Sequence, residues 1–231
     1  MDVTFEVGNE EKEKVSSNVS FLPLESEDPD GRMEKGAGHL GTLIVIEDIS
    51  DEKRMKSTMS RYIDPGIADQ LMSQGTDIMG GQETLATVLF SDVRSFTTIT
   101  ETLGAQGTVA LLNEYFDIMV EAITEQGGMV DKFIGDAIMA GFGIPIANED
   151  DEDRGLRAGI NMIKRLWEWN VKRENEGKIP IDMGLGLNTD KVVSGNIGSS
   201  KRMDYAMIGD GVNLAARLES ACKSYSARIL I

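Results

Sequence analysis

One cysteine, Cys222, and one histidine, His39, are present in 231 residues. No internal disulfide can form, a multi-histidine zinc site is excluded, and a Ser-His-Asp triad would have to rest on His39 alone. Any metal must therefore be held by carboxylates. Basic side chains are also scarce: 23 Lys and Arg against 39 Asp and Glu leave a formal net charge of −16. That balance repels nucleic-acid phosphates and acidic membrane surfaces, so no nucleic-acid partner is expected. Apolar runs such as Leu43 to Ile46 fall far short of a bilayer span, and Asp2 and Glu6 stand where a signal peptide would be basic. The expected location is the cytoplasm. What is present, 41% hydrophobic and 27% charged residues, is the balance of a globular chain of one or two domains.

The first 49 residues contain three strand-like pieces. Val3 to Val7 alternates apolar with polar, Val19 to Leu24 is short and apolar, and Gly41 to Ile46 is rich in β-branched residues. Glu25 to Gly38, crowded with Asp, Glu, Pro and Gly, has the composition of a loop. Three strands cannot close a core, so residues 1–49 are read as the trailing edge of a larger sheet. Asp51 to Tyr62 then carries a helical pattern capped by Ser50 or Asp51 and interrupted by Pro65 and Gly66. Its narrow stripe of Met55, Met59 and Tyr62 suits a contact between two helices, or equally a helix lying on its own domain.

From residue 84 onward the expected elements are a strand over Thr84 to Ser91 and a helix over Ala110 to Thr124, whose Leu111, Leu112, Tyr115, Phe116, Met119 and Ile123 face a core. A hairpin over Val130 to Phe142 turns at Gly135-Asp136 and is followed by a helix over Asp151 to Glu174. A strand pair at Ile181 to Thr189 and Val192 to Ile197, a short helix over Asn213 to Ala221 and a strand beginning at Arg228 complete the list. No Rossmann or P-loop glycine pattern occurs, and the expected architecture is an α+β sheet with helices on one face.

Three stretches carry chemistry. Phe90-Ser91-Asp92-Val93-Arg94-Ser95-Phe96-Thr97 places a carboxylate where a strand gives way to a helix start, whose free N–H groups can receive a phosphate. Lys132-Phe133-Ile134-Gly135-Asp136-Ala137 puts a second carboxylate at a turn between apolar strands. Either aspartate alone is ordinary turn chemistry; together they are what a pair of hard divalent cations requires. Ile208-Gly209-Asp210-Gly211-Val212-Asn213-Leu214-Ala215-Ala216-Arg217 sets Asn213 and Arg217 at i and i+4, on one helix face. Arg offers a planar cationic fork to phosphate oxygens and Asn can hydrogen-bond a ribose, although a pair like this alone is more often a surface contact.

In this order the three stretches closely resemble the signature of the class III adenylyl and guanylyl cyclase catalytic domain, over residues 79–231. The resemblance implies a ferredoxin-like α+β fold acting as a head-to-tail homodimer with shared active sites. It implies that Asp92, Asp136 and the backbone carbonyl of Val93 bind two Mg²⁺ or Mn²⁺ ions, that Phe96 and Thr97 lie near the triphosphate of ATP, and that Lys132, Asn213 and Arg217 come from the partner chain. Lys132 would then contact the purine, Asn213 orient the ribose and Arg217 stabilise charge on the α-phosphate. Gly41 to Arg54 similarly resembles the last strand of a PAS domain running into the signalling helix of bacterial, notably cyanobacterial, sensor cyclases. This implies a truncated PAS-like sensor end at 1–49, a signalling helix and linker at 50–78, and an upstream sensor in the parent chain.

Two features depart from the family pattern. Ala206 occupies the place where ATP-selective members carry an Asp or Thr that reads the base with the lysine, and the family domain continues past Ile231 to a phosphate-contacting lysine absent from this sequence. The expectation is an adenylyl cyclase producing 3′,5′-cyclic AMP. The alternatives are a guanylyl or relaxed-specificity cyclase, for which Ala206 argues, and a non-catalytic dimerisation or signal-relay module, against which both aspartates, Asn213 and Arg217 argue.

Overall fold

The computed structural model describes residues 2–7, 13–25, 39–50, 81–199 and 202–231. The chain divides into two compact units, 1–63 and 64–231. In the first, β1 (Asp2–Val7), β2 (Glu13–Glu25) and β3 (His39–Asp48) form an antiparallel sheet in the order β1-β2-β3. The three expected strands are there, and β2 starts earlier than its apolar stretch because Ser16, Ser17 and Asn18 pair with β1 despite being polar. Neighbouring residues on a strand point to opposite faces. Phe21 and Leu22 are 59% and 50% exposed, so this sheet presents apolar side chains on both faces. The loop at 26–38 and the helix expected over Asp51 to Tyr62, with its Met55, Met59 and Tyr62 stripe, lie outside the described residues.

The second unit has the order β4 (Gln82–Val93), α1 (Phe96–Thr124), β5 (Met129–Ile134), β6 (Ala137–Phe142), α2 (Asp151–Asn175), β7 (Met183–Ser199), β8 (Arg202–Ile208), α3 (Asp210–Tyr225) and β9 (Ile229–Leu230). The sheet runs β5-β6-β4-β7-β8, with β9 parallel to β7 and the other described pairings antiparallel. The β4-α1-β5-β6-α2-β7 portion, with strands ordered β7-β4-β6-β5, is the expected ferredoxin-like arrangement.

Three elements differ from the sequence expectation. Helix α1 begins at Phe96 rather than near Ala110, although the added segment is β-branched and contains glycine; within it the hydroxyls of Thr100, Thr102 and Thr108 donate back to the carbonyls of Thr97, Thr98 and Gly104. Gly104, at φ 67°, kinks it. The strand pair expected at 181–197 is one continuous strand, β7. Asp190 and Lys191 read as a turn, yet they stand opposite Ala86 and Leu85 of β4, and the Lys191 ammonium donates to Glu83 at 2.9 Å. The partner of its second half is β8, which the sequence reading missed. Finally, helices cover both faces of the sheet.

Alternation along β7 produces this two-sided arrangement. Met183, Leu185 and Leu187 join Leu89, Tyr115, Met119, Ile123, Ile138, Phe142 and Met162 in the core beneath α1 and α2. Gly184 and Gly186 face the other way, toward α3. A Cβ on Gly186 would strike the Glu219 amide nitrogen and the Ala215 carbonyl oxygen, both backbone atoms that cannot step aside. Glycine here is a packing requirement. The lone cysteine, Cys222, is fully buried on α3, with its thiol 3.1 Å from the Leu185 carbonyl oxygen. Gly186→Ala should lift α3 off the sheet and cost about 2–3 kcal/mol. Urea denaturation checks this; an unchanged midpoint would show that α3 does not need the close approach.

Candidate functional site

The first motif ends β4 and the second forms the turn between β5 and β6; the register of the sheet brings them together. Ser91 stands across from Ile138 and Asp92 across from Gly184. Continuing the β4–β6 register by two residues sets Val93 opposite Asp136. Gly135, at φ 67°, takes the left-handed conformation that the turn needs and glycine adopts freely. The Asp136 carboxyl lies beside the Asp92 carboxyl and the Val93 backbone N–H. Burial, followed by the negative charge of Asp92, pushes Asp136 up to about 6. Beneath them, burial raises the Tyr115 phenol, and the charges of Asp92 and Asp136 add to the rise.

Two crowded, partly desolvated carboxylates repel one another, and a divalent cation relieves that repulsion. Among the described residues no third His, Cys, Asp or Glu completes a protein cage. The donor set is all oxygen: two carboxylates and the adjoining carbonyl of Val93. It fits Mg²⁺ or Mn²⁺, hard cations that keep water and substrate phosphates in the rest of their shell.

The remaining expected residues surround this pair on other elements. Ser95, at φ 55°, precedes α1 and makes no side-chain cap hydrogen bond, and no acidic side chain sits in the first turn. The start of α1 next to Asp92 is thus left to an anion. Phe96 packs on the core and Thr97 is exposed. Lys132 is on β5, Ala206 on β8, and Asn213 and Arg217 are exposed on α3. The structure brings Asp92, Val93 and Asp136 into contact; the others remain on separate elements around them. A groove of about 900 Å³ follows α1 past Asn113, Phe116, Asp117 and Phe133 and does not include the aspartates.

This geometry agrees with the comparisons. Residues 81–230 match the model of the adenylate and guanylate cyclase catalytic domain. The chain belongs to the adenylate and guanylate cyclase family. It is 38% identical over 148 residues to the terminal-differentiation-specific adenylate cyclase of Dictyostelium discoideum, covering 63% of this chain and 7% of that protein. To an adenylate cyclase of Anabaena cylindrica it is 38% identical over 149 residues, covering 63% and 29%. The chain thus spans less than a third of the length of these two relatives. Among solved structures, the guanylyl cyclase Cya2 is 44% identical with a TM-score of 0.59, covering 62% of this chain and 72% of that one. The adenylyl cyclase CyaB of P. aeruginosa is 39% identical with a TM-score of 0.59, covering 62% and 74%.

The cyclase site also contains a pair that the sequence reading missed. Arg94, two residues after Asp92, lies 3.7 Å from Glu219, two residues after Arg217. Burial raises the Glu219 carboxyl, the charge of Asp92 raises it further, and Arg94 pulls it down. Arg94 is also anchored through its backbone N–H, which donates to the Asp182 carbonyl at 2.8 Å. The ion pair ties the end of β4 to α3, linking the strand that carries Asp92 to the helix that carries Asn213 and Arg217. Arg94 lies inside the first motif and Glu219 two residues past the third, but only the packing of α3 against β7 shows that they meet.

The elevated Asp136 makes a stability prediction for the cyclase fold without metal or nucleotide. Its value in the fold lies above the ordinary 3.8, so ionisation opposes folding. The penalty is absent below about pH 4, grows between about pH 4 and 6, and is complete above that. Discounted for the partial exposure of Asp136, it is about 1 kcal/mol. Asp136→Asn should raise the melting temperature by about 2–4 °C at pH 8 and by less at pH 5. A lower melting temperature at pH 8 would contradict the repulsion.

Proposed function

We propose that the chain is the catalytic part of an adenylyl cyclase, converting ATP to 3′,5′-cyclic AMP and pyrophosphate. The observation that carries this reading is the convergence of Asp92 and Asp136, from two separate motifs, on one end of β4. Asp92, Asp136 and the Val93 carbonyl hold two divalent cations, Mg²⁺ or Mn²⁺. When bound, these supply the acidity that lets the ribose 3′-hydroxyl ionise and the charge that the departing pyrophosphate needs. The 3′-oxygen forms the new bond to the α-phosphorus, the bond from that phosphorus to the bridging oxygen breaks, and the hydroxyl proton passes to solvent.

The chain's own residues position and compensate. The N–H groups at the start of α1, near Phe96 and Thr97, receive the triphosphate. Asn213 orients the ribose, and Arg217 neutralises charge growing on the α-phosphate. Both are exposed on α3, which supports a head-to-tail homodimer in which a second copy supplies Lys132, Asn213 and Arg217. Residues 1–49 and 50–78 are read as the end of a PAS-like sensor and its signalling helix. An Asp92→Ala chain and an Arg217→Ala chain, each inactive alone, should recover up to about a quarter of wild-type activity when mixed, since half the dimers are then mixed and hold one intact site. Heterodimers that form but stay inactive would exclude shared sites.

A guanylyl or relaxed specificity is the second reading, favoured by Ala206. Lys132 can read a base edge, but Ala206 cannot hydrogen-bond it through its side chain, so ATP is preferred only modestly. Ala206→Thr should raise kcat/KM for ATP and widen its ratio over GTP, by about tenfold for each ~1.4 kcal/mol recovered. Lys132→Glu should narrow the ratio. Parallel turnover of both nucleotides with Mn²⁺ measures this, and a constant ratio across the variants would show that neither position reads the base.

A further inference from the structure

Asp131 interrupts the pairing of β5. Val130 stands across from Ala140 and Lys132 across from Met139, so Asp131 is an extra residue between them, a β-bulge. In a regular strand Val130 and Lys132 would share a face. Here Val130 packs with Ala140 into the core beneath α1 and α2, while Lys132 is turned to the opposite face along with Met139. That is the face on which β8 lies: a Cβ added at Gly141, the neighbour of Val88 on β4, would meet the Met207 sulfur at 2.8 Å. Without the bulge, the lysine would point under the helices.

The bulge also brings two consecutive side chains together. Asp131 Oδ2 lies 3.6 Å from Lys132 Nζ, with the aspartate side chain 2% exposed and the lysine side chain 43% exposed. Oδ2 has no hydrogen-bond partner among the described residues. Burial pushes the Asp131 carboxyl up, Lys132 draws it back down, and the charge of Asp204 on β8 adds to the rise. Burying a carboxylate beneath one half-exposed cation is costly, and an apolar side chain would fill the place at less expense. What the carboxylate supplies is a fixed anchor for a flexible four-carbon amine that would otherwise lose its rotamer freedom on meeting a ligand.

We propose that Asp131, as the bulge residue of β5, is the positioning residue for Lys132: it turns the lysine to the β8 face and tethers its ammonium for the adenine edge of the nucleotide. This rests on the reading of Lys132 as the base contact. Discrimination therefore depends on the bulge as well as on the side chains that touch the purine, and the tether sustains a preference for adenine where Ala206 contributes no side-chain hydrogen bond.

The test uses 3′-deoxy-ATP and 3′-deoxy-GTP, which lack the attacking hydroxyl, so binding is read without turnover. Dissociation constants with Mg²⁺ are measured on the full chain, on Asp131→Asn, Asp131→Glu, Lys132→Ala and the Asp131→Asn/Lys132→Ala double variant, with melting curves for each. Asp131→Asn should weaken 3′-deoxy-ATP about five- to tenfold while changing 3′-deoxy-GTP less than about twofold, with no loss of melting temperature. Asp131→Glu, which keeps the charge, should recover part of the difference. In the Lys132→Ala background Asp131→Asn should add nothing, because it acts through the lysine. Equal weakening of both nucleotides, an undiminished effect in that background, or loss of the fold in both Asp131 variants would assign Asp131 to the scaffold and overturn the proposal. If Lys132→Ala leaves the nucleotide ratio unchanged, the base-reading role of Lys132 fails and the tether with it. If Lys132→Ala changes the ratio and Asp131→Asn does not, only the tether falls.

Discussion

Strand β4 is paired along its whole length with β7 and over Thr87–Ser91 with β6, and this double register is the constraint on which the catalytic unit depends. A one-residue slip on either side would exchange the two faces of a strand. Gly184 and Gly186 would turn under α1 and α2, and the side chains of Met183, Leu185 and Leu187 would meet the backbone of α3, which leaves room only for glycine. The same register carries Asp92 to the sheet end where Asp136 arrives from the β5–β6 turn. Fold and site are thus specified by one set of hydrogen bonds.

The site is held against its own electrostatics. Asp136 is raised by burial and by Asp92; Glu219 close by is raised by burial and by Asp92 as well, and Arg94 offsets its charge while linking β4 to α3. A protein optimised only for stability would neutralise or bury such carboxylates with partners. Leaving two of them crowded and without a third protein ligand suits a centre completed by cations and phosphates from outside the chain. Membership of the cyclase family and the exposed Asn213 and Arg217 are in keeping with such a centre.

Three irregularities of the second unit adjoin the candidate site residues. The bulge at Asp131 precedes Lys132, the left-handed Ser95 precedes α1, and the Gly135 turn precedes Asp136. Others lie elsewhere: Gly104 kinks α1, and Gly177 and Ser226 turn the chain after α2 and α3.

Much of this was legible in the sequence. The apolar run within Thr84 to Ser91, the helical face of Tyr115, Met119 and Ile123, and the Gly135-Asp136 turn are local patterns that local physics enforces, and the three motifs carry Asp92, Asp136, Asn213 and Arg217. Composition had already restricted any metal to oxygen ligands. Tertiary structure decided what depends on a distant partner. Asp190 and Lys191 lie inside a strand because β4 pairs with them, although their residue types favour a turn. Gly186 marks the second helical face because the backbone of α3 comes where a Cβ would stand. Asp131 is a bulge, and Lys132 faces β8, because the register with β6 gains a residue there. Periodicity encodes which residues want burial; which face they bury against, and which charges then meet, is set by pairings between segments far apart in the chain.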